Sequence, residues 1–201
     1  MEPTRVLPEG YREAGSLDLS ASRWLAIIFN VLGFFLFLVS GALFLLVLAW
    51  LRPEAARMGL SLQFSSVGQL LLSLLVIVLV VAGAVVLHEA VHGLFFWLFT
   101  RSRPVFRLRL LYASAGAPEW YLPCRQHMVV GVAPLVVITV LGIIVLAVAP
   151  FGLLYPTIFV LAQNAGGSIG DLIAAAWLLT QPKTCLANDQ GNKITLYRPR
   201  T

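Results

Sequence analysis

The chain has 201 residues, of which 59% are hydrophobic and 11% are charged. Soluble domains are about 25% charged, so this composition argues against a soluble globular protein and favours a membrane protein. The net charge of +5 is a possible sign of nucleic-acid binding, but the positions of the basic residues indicate another role.

Four long apolar runs follow one another along the chain. They extend over residues 24–51, 67–99, 128–149 and 153–180. Each exceeds the roughly 20 residues that a helix needs to cross about 30 Å of hydrocarbon. The first run is too long for the apolar core of a signal peptide, which has about 7–15 residues. The predicted fold class is therefore an all-α membrane protein with four transmembrane helices.

Three polar segments surround these runs. Residues 1–22 are predicted to be a mobile arm and residues 181–201 a poorly ordered tail, on either side of a four-helix domain at 23–180. Twelve of the fourteen basic residues lie in the arm, in the tail, at the start of the first run or in the loop at 101–126, whereas Arg52 and Arg57 follow the first run. Basic residues stay cytoplasmic, so both termini and that loop are predicted to face the cytoplasm. The positive charge thus reports membrane topology and contact with the lipid bilayer, with no nucleic acid as partner.

The loop at 101–126 is predicted to contain a small β-hairpin between helices 2 and 3. "PVFRLRLLY" alternates basic and apolar residues as a half-buried strand does. "AGAP" is turn-like, and "EWYLP" resumes with residues of high strand propensity. The alternative is an irregular amphipathic loop lying on lipid. Cys124 and Cys185 both fall on the predicted cytoplasmic side, where a disulfide is not expected, and are predicted to be free thiols.

The stretch "VVLHEAVHGLFFW" places His88, Glu89 and His92 inside the second apolar run. A charged side chain near the bilayer centre costs roughly 2.5–3.5 kcal/mol, so it persists only with partners or a function. The spacing is HExxH, which brings both histidines to one face of a helix and places Glu89 beside them as catalytic acid/base. Zn²⁺ suits two imidazoles and a carboxylate with one open position.

Asp171 is predicted to be the third metal ligand. It is the one further acidic or basic residue within the four apolar runs. Counted inward from the cytoplasmic ends of their helices, His88 and His92 lie at roughly 18 and 12 Å and Asp171 at about 14 Å. One Zn²⁺ would also offset the charges of Glu89 and Asp171. The alternative is a hydrogen-bonded polar cluster that only joins helices.

Two further polar residues have open roles. Asn164 lies seven residues before Asp171 in "NAGGSIGDL", about two helical turns away and on the same face. It is a candidate for substrate binding through a carbonyl or oxyanion, or for a hydrogen bond between helices. The glycines after it allow close helix approach or a break in the helix. His127, just before the third run, is predicted to lie at the membrane interface and not to bind metal.

The segments "LHEAVHGLFFW", "YASAGAPEWYLP" and "GGSIGDL" resemble a family of small prokaryotic membrane proteins, the zincin peptidases, over about residues 67–180. The arrangement is also similar to the site-2-protease class of intramembrane zinc metalloproteases. This resemblance implies His88, His92 and Asp171 as zinc ligands, Glu89 as catalytic acid/base, and a multi-pass protein of a prokaryotic cell membrane. Site-2 proteases generally have an Asp-Gly pair, whereas here Leu172 follows Asp171.

The predicted function is zinc-dependent hydrolysis of peptide bonds within or beside the membrane, with a membrane protein or a peptide as substrate. A helical substrate hides its amides and must unwind, and an edge strand in the loop at 105–121 is a candidate for binding the extended peptide by β-augmentation. The alternative is a zinc-binding membrane protein that transports metal or regulates a partner. Transporters tend to carry polar residues at several depths and in repeated halves, whereas this sequence concentrates them at one level.

Overall fold

The structure is a computed structural model that describes residues 1–18, 22–59, 65–109, 112–191 and 193–200. In chain order the elements are β1 (Tyr11–Asp18), α1 (Arg23–Leu51), α2 (Pro53–Met58), α3 (Val67–Thr100), β2 (Val105–Arg109), β3 (Tyr112–Gly116), β4 (Tyr121–Pro123), α4 (Cys124–Val148), α5 (Phe151–Gly167), α6 (Ile169–Leu179), β5 (Leu186–Asp189) and β6 (Lys193–Pro199). The chain is mostly helical, with a small antiparallel sheet.

Three of the described helices, α1, α3 and α4, are long and apolar enough to cross a membrane. Helices α5 and α6 together make a fourth crossing if the pair counts as one span, since they are bent by 44° at a short break. These helices coincide with the four apolar runs of the sequence. Most of their large apolar side chains point away from the protein, as a lipid environment requires.

The break between α5 and α6 falls at Ser168, within the glycine-rich stretch that allowed for one. The Ser168 hydroxyl and N–H both donate to the carbonyl oxygen of Asn164, at 2.7 and 3.0 Å. The backbone freed at the bend therefore has partners inside the protein. Helix α1 crosses close by, because a Cβ added to Gly33 or to Gly166 would lie 2.7 Å from the other residue's carbonyl oxygen.

A four-stranded antiparallel sheet joins both ends of the chain to the loop between α3 and α4. Its strand order is β1-β6-β5-β4. The prediction of a mobile arm and a poorly ordered tail was therefore wrong for residues 11–18, 186–189 and 193–199. Ile194 and Leu196 of β6 are buried against the helices together with Cys185 and Ala187, so hydrophobic burial holds these strands. The sheet also places both termini and the loop at one end of the molecule, and which side of the membrane this end faces stays a prediction.

Strands β2 and β3 form a hairpin in the predicted loop, but its second strand is Tyr112–Gly116 and not "EWYLP". The register pairs Val105 with Gly116 and Arg109 with Tyr112, so "AGAP" does not form its turn. Residues 121–123 form β4 and pair with β5 in the other sheet. An alternating pattern fits any antiparallel partner, so it predicted the strands but not their pairing.

Cys124 and Cys185 form a disulfide, with their Cα atoms 5.6 Å apart. The prediction of free thiols was wrong, because the pairing of β4 with β5 brings the two residues together. The bond ties the sheet to the first residue of α4. Disulfides persist in oxidising compartments, so this bond argues against the cytoplasmic location that the distribution of basic residues predicts for this end of the molecule.

Candidate metal centre

His88, His92 and Asp171 converge between α3 and α6. Nε2 of His88 lies 3.2 Å from Nε2 of His92 and 3.2 Å from Oδ2 of Asp171, and Nε2 of His92 lies 3.5 Å from Oδ1 of Asp171. Tetrahedral Zn²⁺ with bonds of about 2.0–2.2 Å holds its ligand atoms roughly 3.3–3.6 Å apart. The three side chains present are therefore close to the spacing that a zinc ion needs.

Asn164 orients the ring of His88. Nδ1 of His88 lies 2.9 Å from Oδ1 of Asn164, and the amide nitrogen of Asn164 donates to the carbonyl oxygen of Pro134 at 3.2 Å. Because the amide end of Asn164 is already donating, its oxygen accepts the Nδ1–H of His88 and Nε2 turns its lone pair to the centre. Both polar ends of this buried side chain are engaged within the protein. This arrangement is the hydrogen bond between helices that the sequence left open, and substrate binding by Asn164 stays a prediction.

A proline in α4 orients the ring of His92. Pro134 lies inside α4 and has no N–H, so the carbonyl oxygen four residues earlier, that of Val130, loses its helical partner. Nδ1 of His92 lies 2.9 Å from this oxygen. The free carbonyl thus accepts the Nδ1–H and fixes the tautomer in which Nε2 faces His88 and Asp171. Hydrogen bonds of this kind orient metal-binding histidines in proteins.

The electrostatics of this arrangement require positive charge at its centre. Both imidazoles donate through Nδ1, so two Nε2 lone pairs and a carboxylate meet within about 3.5 Å. Such a group of acceptors repels unless a proton or a cation lies between them. Two imidazoles and one carboxylate form a donor set that suits Zn²⁺. The residues present therefore fit a zinc ion.

Asn164→Leu is expected to weaken zinc binding by about 10- to 100-fold, the effect of losing a partner that orients a ligand. Gln163→Leu is the matched control, because Gln163 donates to the carbonyl oxygen of Val81 and joins the same two helices away from the site. Zinc affinity measured by competition with a chelator checks the pair. Equal affinities in the two variants would contradict the role given to Asn164.

Glu89 lies beside this group and faces the hairpin. It is half-buried and interacts with the backbone N–H of Ala115 in β3. Gly93, one residue after His92, allows the hairpin to come this close, since any side chain there would collide with the ring of Phe106. Strand β3 therefore runs directly beside the carboxylate that is predicted from the sequence to be the catalytic acid/base.

These side chains line a cavity of about 610 Å³ between α1, α3, α4, α6 and the strands. Arg23 and Asn30 of α1 are exposed where they line it, whereas Phe96, Val130 and Ala174 are buried. The cavity has the size of a typical ligand site, in which a few polar groups are held by an apolar wall. It is large enough for a short peptide segment.

His127 is 4% exposed and lines the same cavity, so it faces the protein interior, and its predicted level at the membrane interface stays a prediction. Its Nε2 lies 3.4 Å from Oδ2 of Asp189 at the end of β5, and burial raises the pKa of the Asp189 carboxyl. Asp189 was not predicted from the sequence to be a site residue. Its signal is the turn "NDQGNK", which indicates a loop but not its position beside the cavity. Pro134 was missed too, although a proline inside an apolar run indicates a free carbonyl.

Residues 81–186, just over half of the chain, match the family described as "Putative zincin peptidase". This range contains His88, Glu89, His92, Asn164 and Asp171. Neither the curated proteins nor the solved structures contain a match to the chain.

Proposed function

Because the chain belongs to the family described as "Putative zincin peptidase", we propose that it is a zinc-dependent peptidase that hydrolyses peptide bonds within or beside a membrane. The observation that carries this proposal is the convergence of His88, His92 and Asp171 at the spacing of zinc ligands, with Glu89 in the same cavity. The family implies zinc and a metallopeptidase. The membrane setting and the assignment of roles to individual residues are our own.

The chemistry divides between the bound ion and Glu89. Zinc, when bound, lowers the pKa of the water that it binds toward about 7 and polarises the carbonyl group of the peptide bond to be cleaved. Glu89 accepts the proton that the attacking water loses and delivers it to the leaving amine. His88, His92 and Asp171 hold the ion, while Asn164 and the Val130 carbonyl hold the two rings.

The position of β3 supports an extended peptide as substrate. The backbone of β3 passes beside Glu89 at Ala115, so a peptide lying along this strand would pass the carboxylate. Pairing of that kind supplies main-chain hydrogen bonds to a segment that has unwound from a helix. We therefore propose a membrane protein or a membrane-bound peptide as substrate, with its cleavage site in extended conformation.

The long apolar helices support an integral, multi-pass protein. We place it in a prokaryotic cell membrane, with both termini in the cytoplasm on the distribution of the basic residues. The carboxylates and imidazoles of the described apolar helices lie at one level, around one cavity. This favours hydrolysis over a pathway for metal ions, which needs polar groups at successive depths.

The test compares membrane peptides from cells that contain the wild-type chain with those from cells that contain Glu89→Gln. We expect at least one membrane-protein fragment that accumulates only with the wild type. The purified wild-type chain in liposomes should regenerate this fragment and should not move Zn²⁺ across the bilayer. The proposal would be contradicted, and transport favoured, if no fragment appeared in cells or in liposomes while the wild-type chain moved Zn²⁺ across the bilayer and His88→Ala did not.

A further inference from the structure

His127 and Asp189 form a second buried pair in the cavity, which the proposed mechanism does not use. His127 lies one turn into α4 and Asp189 ends β5, and their side chains are 3.4 Å apart from Nε2 to Oδ2. The two residues are 4% and 8% exposed. Both line the cavity that contains Glu89. A polar pair this deeply buried needs either full pairing or a ligand.

The surrounding residues fix the orientation of this pair. The N–H of Gly191 donates to Oδ1 of Asp189 at 2.6 Å. Gly191 has a φ of 93°, a conformation that favours glycine. On the other side, the ring of Phe96 packs against the ring of His127, with centroids 5.9 Å apart. The His127 ring is thus held at its Nε2 edge and on one face.

The opposite edge of the His127 ring has no partner. Its Nδ1 is buried and has no hydrogen bond to any of the described residues. Because Nε2 is turned to Asp189, rotating the ring to satisfy Nδ1 would break that pair. A buried polar atom without a partner, on a residue that lines a ligand-sized cavity, indicates a group that is completed when the cavity is filled.

Charge indicates that this nitrogen is a donor. The cavity is lined by three carboxylates, those of Glu89, Asp171 and Asp189. A divalent cation offsets two of them, and Arg23 is exposed where it lines the cavity, so solvent screens its charge. The third carboxylate is buried, so the His127–Asp189 pair needs a second proton to become neutral overall. With two protons, one lies between Oδ2 and Nε2 and the other is on Nδ1, whichever residue is counted as charged. The pair then carries an N–H that has no partner among the described residues.

We propose that the Nδ1–H of His127 donates a hydrogen bond to the carbonyl oxygen of the peptide unit that is cleaved, and that Asp189 positions the ring. This inference rests on the proposed peptidase function. The bond strengthens as negative charge develops on that oxygen, so it stabilises the transition state more than the bound substrate. Asp189 acts through His127 and does not touch the substrate.

Two substitutions of His127 distinguish the role of its Nδ1 from that of its Nε2. The amide of glutamine reaches about as far from the backbone as Nε2, so His127→Gln keeps the contact with Asp189 but presents nothing at the position of Nδ1. The amide of asparagine reaches about as far as Nδ1, so His127→Asn keeps a donor there and loses the contact with Asp189. Zinc content and thermal unfolding in detergent establish that both variants are folded.

The probe is a phosphinic pseudopeptide, whose tetrahedral phosphinate resembles the transition state of peptide hydrolysis, compared with the ordinary peptide of the same sequence. In the zinc-loaded protein, we expect His127→Gln to weaken phosphinate binding by about 10- to 100-fold, as the loss of a hydrogen bond to a charged group does. Binding of the ordinary peptide should change less. His127→Asn should recover most of the phosphinate affinity, and Asp189→Asn should lose less than His127→Gln.

Wild-type phosphinate affinity in His127→Gln would overturn this inference and leave the peptidase proposal intact. Equal losses for both ligands in every variant would also overturn it, since a merely structural role predicts that result. If the wild type with bound zinc bound no phosphinate and cut no peptide, the proposed function itself would fail. Should His127→Gln not retain zinc, His127→Leu, which also has no donor at the position of Nδ1, takes its place in the same comparison with His127→Asn.

Discussion

Asp171→Ala is expected to lower zinc affinity by more than 100-fold. The carboxylate supplies one of three protein ligands, and losing even a group that only orients a ligand costs about 10- to 100-fold. Asp171 contacts both imidazoles, at 3.2 and 3.5 Å, so the variant leaves two ligands on α3 with nothing opposite them on α6. Zinc per chain, measured after dialysis against a chelator, checks this expectation.

Glu89→Gln is the control for that experiment, because it removes a carboxylate of the same cavity that is not assigned as a ligand. The control should keep its zinc at the wild-type level. Zinc retained at wild-type affinity in Asp171→Ala would show that the third ligand is another group. Loss of zinc in Glu89→Gln would show that Glu89 binds the ion and that the assigned roles are wrong.

Glu89→Gln is also expected to lower the rate of peptide hydrolysis by about 10²–10⁴-fold, the usual contribution of a general acid or base. The amide has nearly the same shape as the carboxylate and its oxygen can still accept from the Ala115 N–H. It cannot take up a proton from water. Cleavage rates of the purified variants in liposomes, on the fragment-yielding substrate found in cells, measure the effect.

Glu119→Gln provides the matched control for this loss, since Glu119 is exposed in the turn before β4 and lies outside the cavity. It should cleave at the wild-type rate. A Glu89→Gln protein that retains zinc and cleaves as fast as the wild type would contradict the mechanism, whatever the result for the metal.

The helices were predictable because they follow from local composition. The backbone N–H and C=O groups of each apolar run need hydrogen-bond partners, and in hydrocarbon only a helix supplies them within one segment. The break near Ser168 also had a local signal, the glycines around it. The depth argument that paired Asp171 with the two histidines used the constant rise of a helix, which is the same in every sequence.

The strands were less predictable because their partners are distant in the chain. Strand β1 pairs with β6, about 180 residues away, and nothing in either segment identifies the other. The alternation of Ile194 and Leu196 with polar residues was visible in the sequence as a strand signal. The partner of that strand was not visible, and neither was the disulfide that follows from the pairing of β4 with β5.

The candidate site also has a part that was predictable from the sequence and a part that was not. His88, Glu89 and His92 lie within five residues, so one helix turn brings them together. The groups that orient them come from α4, α5 and the sheet, and their positions depend on packing. His127 and Pro134 show this best, because each has a local signal that gives no indication of what it faces in the folded chain.

Anomalous diffraction at the zinc edge, measured from crystals of the wild-type chain, tests whether His88, His92 and Asp171 bind one zinc ion. We expect one strong peak about 2.0–2.2 Å from Nε2 of His88, Nε2 of His92 and a carboxylate oxygen of Asp171. A chain that crystallises with its zinc bound elsewhere, or with the Asp171 carboxylate turned away from both imidazoles, would contradict this expectation.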